Sequence, residues 1–248
     1  MPTGRDDGEA LVPAAAVRPS GHVRCEGAEI AFYETGSGPP LLLINGGPGF
    51  PAQHFAPLVE RLASELGRRV IRFDQRGTGN STLDTLSLET LTLKLMVQDI
   101  EALRLAVEVD DWSVMGHSFG AVLAMAYAVD YPAPVRTLIL SAPPGVDLSY
   151  RPRLNANIQS RLTGEERSAL AAATSDASPQ SYERQLEALS ILLSAYVHER
   201  SQLPALRRAV VDSRVYVPAV GALVSENLVR DNHDLRPRLR RLRPRRPR

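Results

Sequence analysis

One cysteine, one lysine and one tryptophan are spread over 248 residues, and each scarcity narrows what the chain can be. Cys25 alone makes neither a disulfide framework nor a cysteine cluster of metal-ligand spacing, so the thiol is given no role and no metal site is expected. Long apolar runs are missing too. None approaches the roughly 18 residues that a membrane helix needs, and Met1 to Ser20 carry acids where a secretory signal has a basic start. A soluble, cytoplasmic protein with no membrane partner is therefore expected.

With Lys94 the only lysine, nearly all positive charge is arginine, and it is unevenly placed. Eight of the 29 basic side chains fall in residues 236 to 248, which contain no acid; the remainder holds 21 basic against 28 acidic groups, a net of −7. The body is acidic and the overall +1 comes from the tail. What is plentiful is apolar sequence: 44% hydrophobic residues against 23% charged fit a globular protein with a sizeable core.

That apolar content is patterned. Leu41 to Ile44, Val70 to Phe73, Trp112 to Met115 and Thr137 to Leu140 are continuous short runs, which predicts fully buried parallel strands. Helical periodicity lies between them: Phe55, Leu58, Leu62 and Leu66; then Leu93 to Val107; then Ala121 to Val129. Strand alternating with helix predicts an α/β fold on a mostly parallel sheet. Residues 22 to 34 suit an antiparallel pair turning at Glu26-Gly27, preceded by a loose lead-in over 1–20. After Pro143-Pro144-Gly145 strand signals stop. Thr163-x-x-Glu166 reads as a capping box, and Ser178-Pro179 opens a helix with Tyr182, Leu186, Leu189, Leu193 and Tyr196 on one stripe. The expected organisation is a core over 21–145, a helical cap over 146–230 and an Arg/Pro-rich tail over 231–248.

Ligands of an open parallel sheet sit beyond the carboxyl ends of its strands. There the chain places Gly116-His117-Ser118-Phe119-Gly120 between a buried strand and a helix, the setting of a nucleophile elbow. Ser118 is the candidate nucleophile, exposed at a helix N-terminus where developing negative charge is favoured. Gly46-Gly47-Pro48-Gly49 lacks phosphate-loop spacing and is better suited to offering an N–H. Gly46 or Gly47 would pair with Phe119 to hold an oxyanion. Asp74 and Arg76 read as loop braces and His117 as a packing residue directed away from Ser118; His22 and His54 have no features that single them out.

Those motifs together, with Asp74-Gln75-Arg76-Gly77-Thr78-Gly79-Asn80-Ser81 and Gln98-Asp99-Ile100-Glu101-Ala102-Leu103-Arg104, resemble the proline iminopeptidase family of α/β-hydrolases over about Glu29 to Pro144. The resemblance implies an α/β-hydrolase fold with a helical cap and an enzyme that releases N-terminal residues, proline above all, from short peptides. It departs at Asn45, where many members have His, and at His117, where many have Gly. Serine chemistry needs side chains only, so no cofactor is expected. Candidates to hold a free amine are Glu183, Glu187, Glu199 and Glu226, with none singled out. A general esterase or lactone hydrolase on the same fold is the alternative, and a catalytically impaired binding protein a third. Serine at the elbow argues against the dehalogenases and epoxide hydrolases that this fold resembles, which use aspartate there.

The same resemblance implies that the triad acid and base follow on two further strands, and that Asp234-Leu235-Arg236-Pro237-Arg238-Leu239 leads into the first of them. Arg240 to Arg248 stand there instead. We therefore expect the last strands to be missing and the tail to be a frameshift product or a truncated reading of the gene, with a nucleic-acid-binding arm as the competing reading. Asp147 is the candidate acid. His198 and His233 lie outside the usual place for the base, which stays unassigned, as does the oligomeric state. A sheet ending at the fourth parallel run would expose an edge and favour aggregation.

Overall fold

The computed structural model describes residues 18–175 and 181–240, apart from the side chains at 54 and 57. Most of the expected lead-in, the Ser178-Pro179 helix start, the His54 side chain and tail residues 241–248 lie outside the described residues.

Among the described residues seven strands form one sheet: β1 (Gly21–Cys25), β2 (Ala28–Thr35), β3 (Pro40–Ile44), β4 (Arg69–Phe73), β5 (Thr82–Leu83), β6 (Trp112–His117) and β7 (Val135–Ser141). Their order is β1-β2-β4-β3-β6-β7, with β5 beside β2. Pairing is parallel from β4 through β3 and β6 to β7, and antiparallel where β1 and β2 join. The four continuous apolar runs are thus the four parallel strands. β3, β4 and β6 need no polar face because they are buried on both sides; β7, expected to be fully buried, is instead exposed at Thr137, Ile139 and Leu140 because no further strand or helix covers it among the described residues. β5 escapes sequence reading because two residues carry no period; it exists through its pairing with Ala28 and Glu29.

The helices α1 (Ala56–Ser64), α2 (Leu93–Ala106) and α3 (Phe119–Asp130) connect the strands. α3 is buried almost all round, from Phe119 through Ala128, as expected of a helix packed on the sheet beneath other elements. Its Tyr127 lies edge-on to Trp112 at 6.1 Å and donates to Glu101 at 2.8 Å, so its ring is buried while its hydroxyl is satisfied.

Helices then dominate: α4 (Arg151–Arg161), α5 (Gly164–Thr174), α6 (Tyr182–Tyr196), α7 (Leu203–Arg207), α8 (Pro218–Arg230) and α9 (Arg236–Leu239). The capping box forms as read, Glu166 N donating to Thr163 Oγ1 at 3.1 Å and Thr163 N to Glu166 Oε2 at 2.8 Å. Leu162, Leu170, Ala188 and Ile191 make a small core shared by α5 and α6. α8 packs elsewhere: Val220 and Val224 belong to the main core, and Asn227 donates to the carbonyls of Leu88 and Leu91. Among the described residues β7 has no partner on its outer side, and Ile139 and Leu140 are 41% and 38% exposed.

Candidate active site

Ser118 sits between β6 and α3 with φ 52° and ψ −122°, a conformation costly for any residue with a Cβ. Sterics explain its glycine neighbours. A Cβ on Gly116 would lie 2.3 Å from the Gly120 carbonyl oxygen, and one on Gly120 would lie 2.3 Å from that of Ile44, both rigid backbone atoms. The turn is fixed from outside by Ser118 N donating to the Ser141 carbonyl at 2.9 Å. Phe119 opens α3, so its N–H is among those a helix leaves without an internal partner.

The glycine loop after β3 closes on this turn. A Cβ on Gly46 would meet the Ser118 Cβ at 3.0 Å and His117 Nδ1 at 3.1 Å, so a side chain there would press on the Ser118 turn. Asn45 holds the loop's shape, donating from Nδ2 to the carbonyls of Gly46 and Phe50 at 2.9 and 2.7 Å. On its far side the loop touches α8: Val217 N donates to Gly49 O at 2.8 Å, and Phe50 stacks on Tyr216 at 4.5 Å.

Asp74 and Arg76 both brace, with different partners. Asp74 accepts from Ala52 N, Tyr33 Oη and Asn80 N, tying the segment after β3 and strand β2 to its own loop. Arg76 turns away from it to Asp99 on α2. His117 packs edge-on to Phe55 at 5.3 Å with Nδ1 buried and unpartnered, and burial lowers its pKa below 6.5. Burial pushes the Cys25 thiol up to about 12, which keeps it protonated and unreactive.

A cavity of about 170 Å³ opens over Ser118. Gly47, Pro48, Ser118, Phe119 and Val122 form its floor, and its walls come from the chain between Pro144 and His233. Leu148, Leu154, Leu228, Tyr150 and Tyr196 make those walls largely apolar; Arg151, Ser225 and His233 supply the polar groups. Among the described residues the lining contains no carboxylate. Glu183 is paired with Arg214, and Glu187, Glu199 and Glu226 are exposed away from it.

The structure brings Gly46, Gly47, Ser118 and Phe119 together. Asp147 lies close by, but its carboxylate accepts from Ser149 N and Oγ at 2.9 and 2.5 Å and pairs with Arg236 at 2.9 Å. Those partners hold it below the usual carboxylate range. His198 is solvent-exposed with its side chain 92% accessible. His233, which the sequence reading left outside the usual place for a base, lies on the cavity wall. A bridge between Asp147 and Asp234 draws it to the cavity wall, and the acids at 147 and 234 were the available signal. The first two tail arginines are also spoken for, Arg236 by Asp147 and Asp234 and Arg238 by Asp130.

The sequence profile of the α/β hydrolase fold matches residues 39–208, most of the chain and the whole of this site's floor. The chain belongs to the α/β-hydrolase family. The chain is 40% identical over 105 residues to a proline iminopeptidase of Lactobacillus helveticus, a match that covers 42% of this chain and 35% of that one. It is also 33% identical over 133 residues to that of Xanthomonas citri, 52% of this chain and 41% of that one. The matches thus span only about a third to two-fifths of those relatives' lengths. Among solved structures, VinJ superposes with a TM-score of 0.62 at 22% identity, covering 82% of this chain and 70% of its own. An enol-lactonase of Burkholderia xenovorans gives 0.59 at 20%, covering 88% and 76%. These structural likenesses speak for the fold. No helix among the described residues is long and apolar enough to cross a membrane.

Proposed function

We propose that this α/β-hydrolase is a serine hydrolase of small acyl substrates, working through an acyl-enzyme on Ser118. The strained backbone of Ser118 at the floor of a largely apolar cavity carries this reading, because such strain persists only where surrounding structure enforces it. The N–H groups of Phe119 and of Gly46 or Gly47 would receive the charge that develops on the carbonyl oxygen. Helices α4 to α6 would act as the cap, supplying Tyr150, Arg151, Leu154 and Tyr196 over the serine.

Likeness to proline iminopeptidases supports an N-terminal prolyl amide of a short peptide as substrate. A cavity without a carboxylate favours a second reading, a simple ester or lactone, since a free ammonium would enter this lining unpaired. Labelling by a fluorophosphonate, followed by turnover of prolyl p-nitroanilide and p-nitrophenyl acetate, tests both. Labelling that vanishes in Ser118→Ala upholds the nucleophile; faster turnover of the acetate relative to the prolyl amide, each against its uncatalysed rate, upholds the ester reading. An unlabelled protein would be a binding protein instead.

A further inference from the structure

Between Pro144 and Leu154 the chain supplies six residues of the cavity lining, and the way this segment folds decides which of its charges reaches the cavity. Gly145 lets Tyr150 pack close, since a Cβ on it would lie 3.0 Å from Tyr150 Cδ1. Asp147 caps a short turn, accepting from Ser149 N at 2.9 Å, and Arg151 N donates to the Leu148 carbonyl. The turn runs straight into α4, whose first residue is Arg151. Arg151 is thus placed by backbone contacts and lines the cavity, while Arg153 on the same helix does not.

No carboxylate pairs with Arg151 among the described residues. The acid closest in sequence, Asp147, is taken by Ser149 and Arg236, and its bridge partner Asp234 pairs with Arg236 as well. A guanidinium beside apolar walls and without an acid of its own is a ready partner for a carboxylate, which it grips through parallel N–H donors. The positive end of the α4 dipole lies at the same residue and adds to its charge. We propose that the substrate's acyl part carries a carboxylate and that Arg151 selects it, so that the substrate class is the half-ester of a short dicarboxylic acid. This rests on the Ser118 reading above and sharpens its ester alternative.

The carboxylate belongs on the acyl part because only that part stays in the cavity through both acyl transfer and hydrolysis. A contact to it acts on both steps, whereas a contact to the leaving alcohol ends with the first. A cavity of about 170 Å³ suits an acid of only a few carbons. The ammonium of a free N-terminus would meet the same guanidinium as a like charge.

The test compares an anionic ester with a neutral one of similar length. In Ser118→Ala, calorimetry measures binding of monomethyl glutarate against methyl pentanoate; in the full parent chain, turnover of mono-p-nitrophenyl glutarate is set against that of p-nitrophenyl pentanoate, each relative to its uncatalysed rate. The anionic member is expected to be favoured by about tenfold at low salt, with the ratio falling as salt screens the contact. The ratio should drop to near one in Arg151→Gln, survive in part in Arg151→Lys, and stay at the parent's value in Arg153→Gln. Thermal melts establish that each variant folds. A parent that handles both esters alike, or an Arg151→Gln variant that keeps the parent's ratio, overturns the assignment; turnover lost in Ser118→Ala would still uphold the nucleophile. An equal drop in Arg153→Gln overturns it too, because the preference would then follow overall charge. Anion binding through Arg151 without turnover of either ester removes the Ser118 reading and keeps the anion site; absence of both binding preference and turnover removes the two together.

Discussion

Arg76 holds Asp99 through two parallel hydrogen bonds, Nε to Oδ2 at 2.7 Å and Nη2 to Oδ1 at 2.6 Å, with each side chain only 1% exposed. The pair ties the loop after β4 to the middle of α2, and Arg76 also donates to the Thr90 carbonyl at 2.7 Å. Both charges have lost their water, so each depends on the other. Removing Arg76 alone would leave a buried carboxylate without its cation. Arg76→Ala is expected to cost about 3–5 kcal/mol, read as a shift in the urea unfolding midpoint. The double replacement Arg76→Met with Asp99→Leu should recover most of that loss; a double variant as unstable as the single would show that the ion pair itself, not the stranded charge, supplies the stability.

Ser118 stands in a backbone conformation that glycine adopts freely. Relief of strain, set against glycine's larger entropy loss, should make Ser118→Gly more stable than the parent by about 1 kcal/mol while abolishing labelling. Calorimetry decides it. A variant that melts lower would mean that the serine side chain contributes packing that offsets its strain.

Gly120→Ala should behave in the opposite way, because the added methyl meets the Ile44 carbonyl oxygen at 2.3 Å. A loss of about 1–3 kcal/mol or more is expected, together with a displaced Ser118. Wild-type stability and labelling in this variant would show that β3 and α3 can move apart without cost.

Stability should also fall as the solution becomes mildly acidic. His117 and His233 both have folded pKa values below 6.5, because burial disfavours their charged forms. Between those values and 6.5 the unfolded chain binds more protons than the folded one. Their contribution is therefore complete above pH 6.5 and is lost as pH drops through the folded pKa values. The melting temperature at pH 5.5 should lie below that at pH 7.5, and an unchanged value would show that both rings accept protons readily in the fold.

The open side of β7 leads to a prediction about association. Ile139 and Leu140 are partly exposed on a strand whose outer N–H and C=O groups have no strand partner among the described residues. Light scattering should show species larger than a monomer, shifting toward the monomer in Ile139→Lys with Leu140→Glu. A parent that is monomeric and melts cooperatively would mean that this edge is adequately protected.

Much of this architecture is legible in the residues, for local reasons. A run such as Leu41 to Ile44 announces a strand buried on both faces, and glycines at 116 and 120 announce the turn at Ser118, since these signals lie within a few positions of one another. The same holds for the capping box of Thr163 and Glu166. What could not be read depends on chain segments far apart. Arg76 finds Asp99 rather than its neighbour Asp74, and His233 reaches the cavity through pairing of Asp234 with Asp147, so no periodicity marks either. The empty space above Ser118 is likewise a property of packing between helices, which fixes which of the glutamates face it; none of the four candidates does.

The cavity's division between floor and walls bears on how such a protein can diversify. The proposed nucleophile and the N–H groups beside it belong to two neighbouring strand ends, whereas the walls of the cavity come from a separate stretch of chain, from Pro144 to His233. Substitutions, insertions or exchanges in that later stretch can alter what is admitted and leave the reactive turn intact. Chemistry and selectivity can then be inherited independently, and two descendants of one ancestor can share a serine while differing entirely in what they cleave.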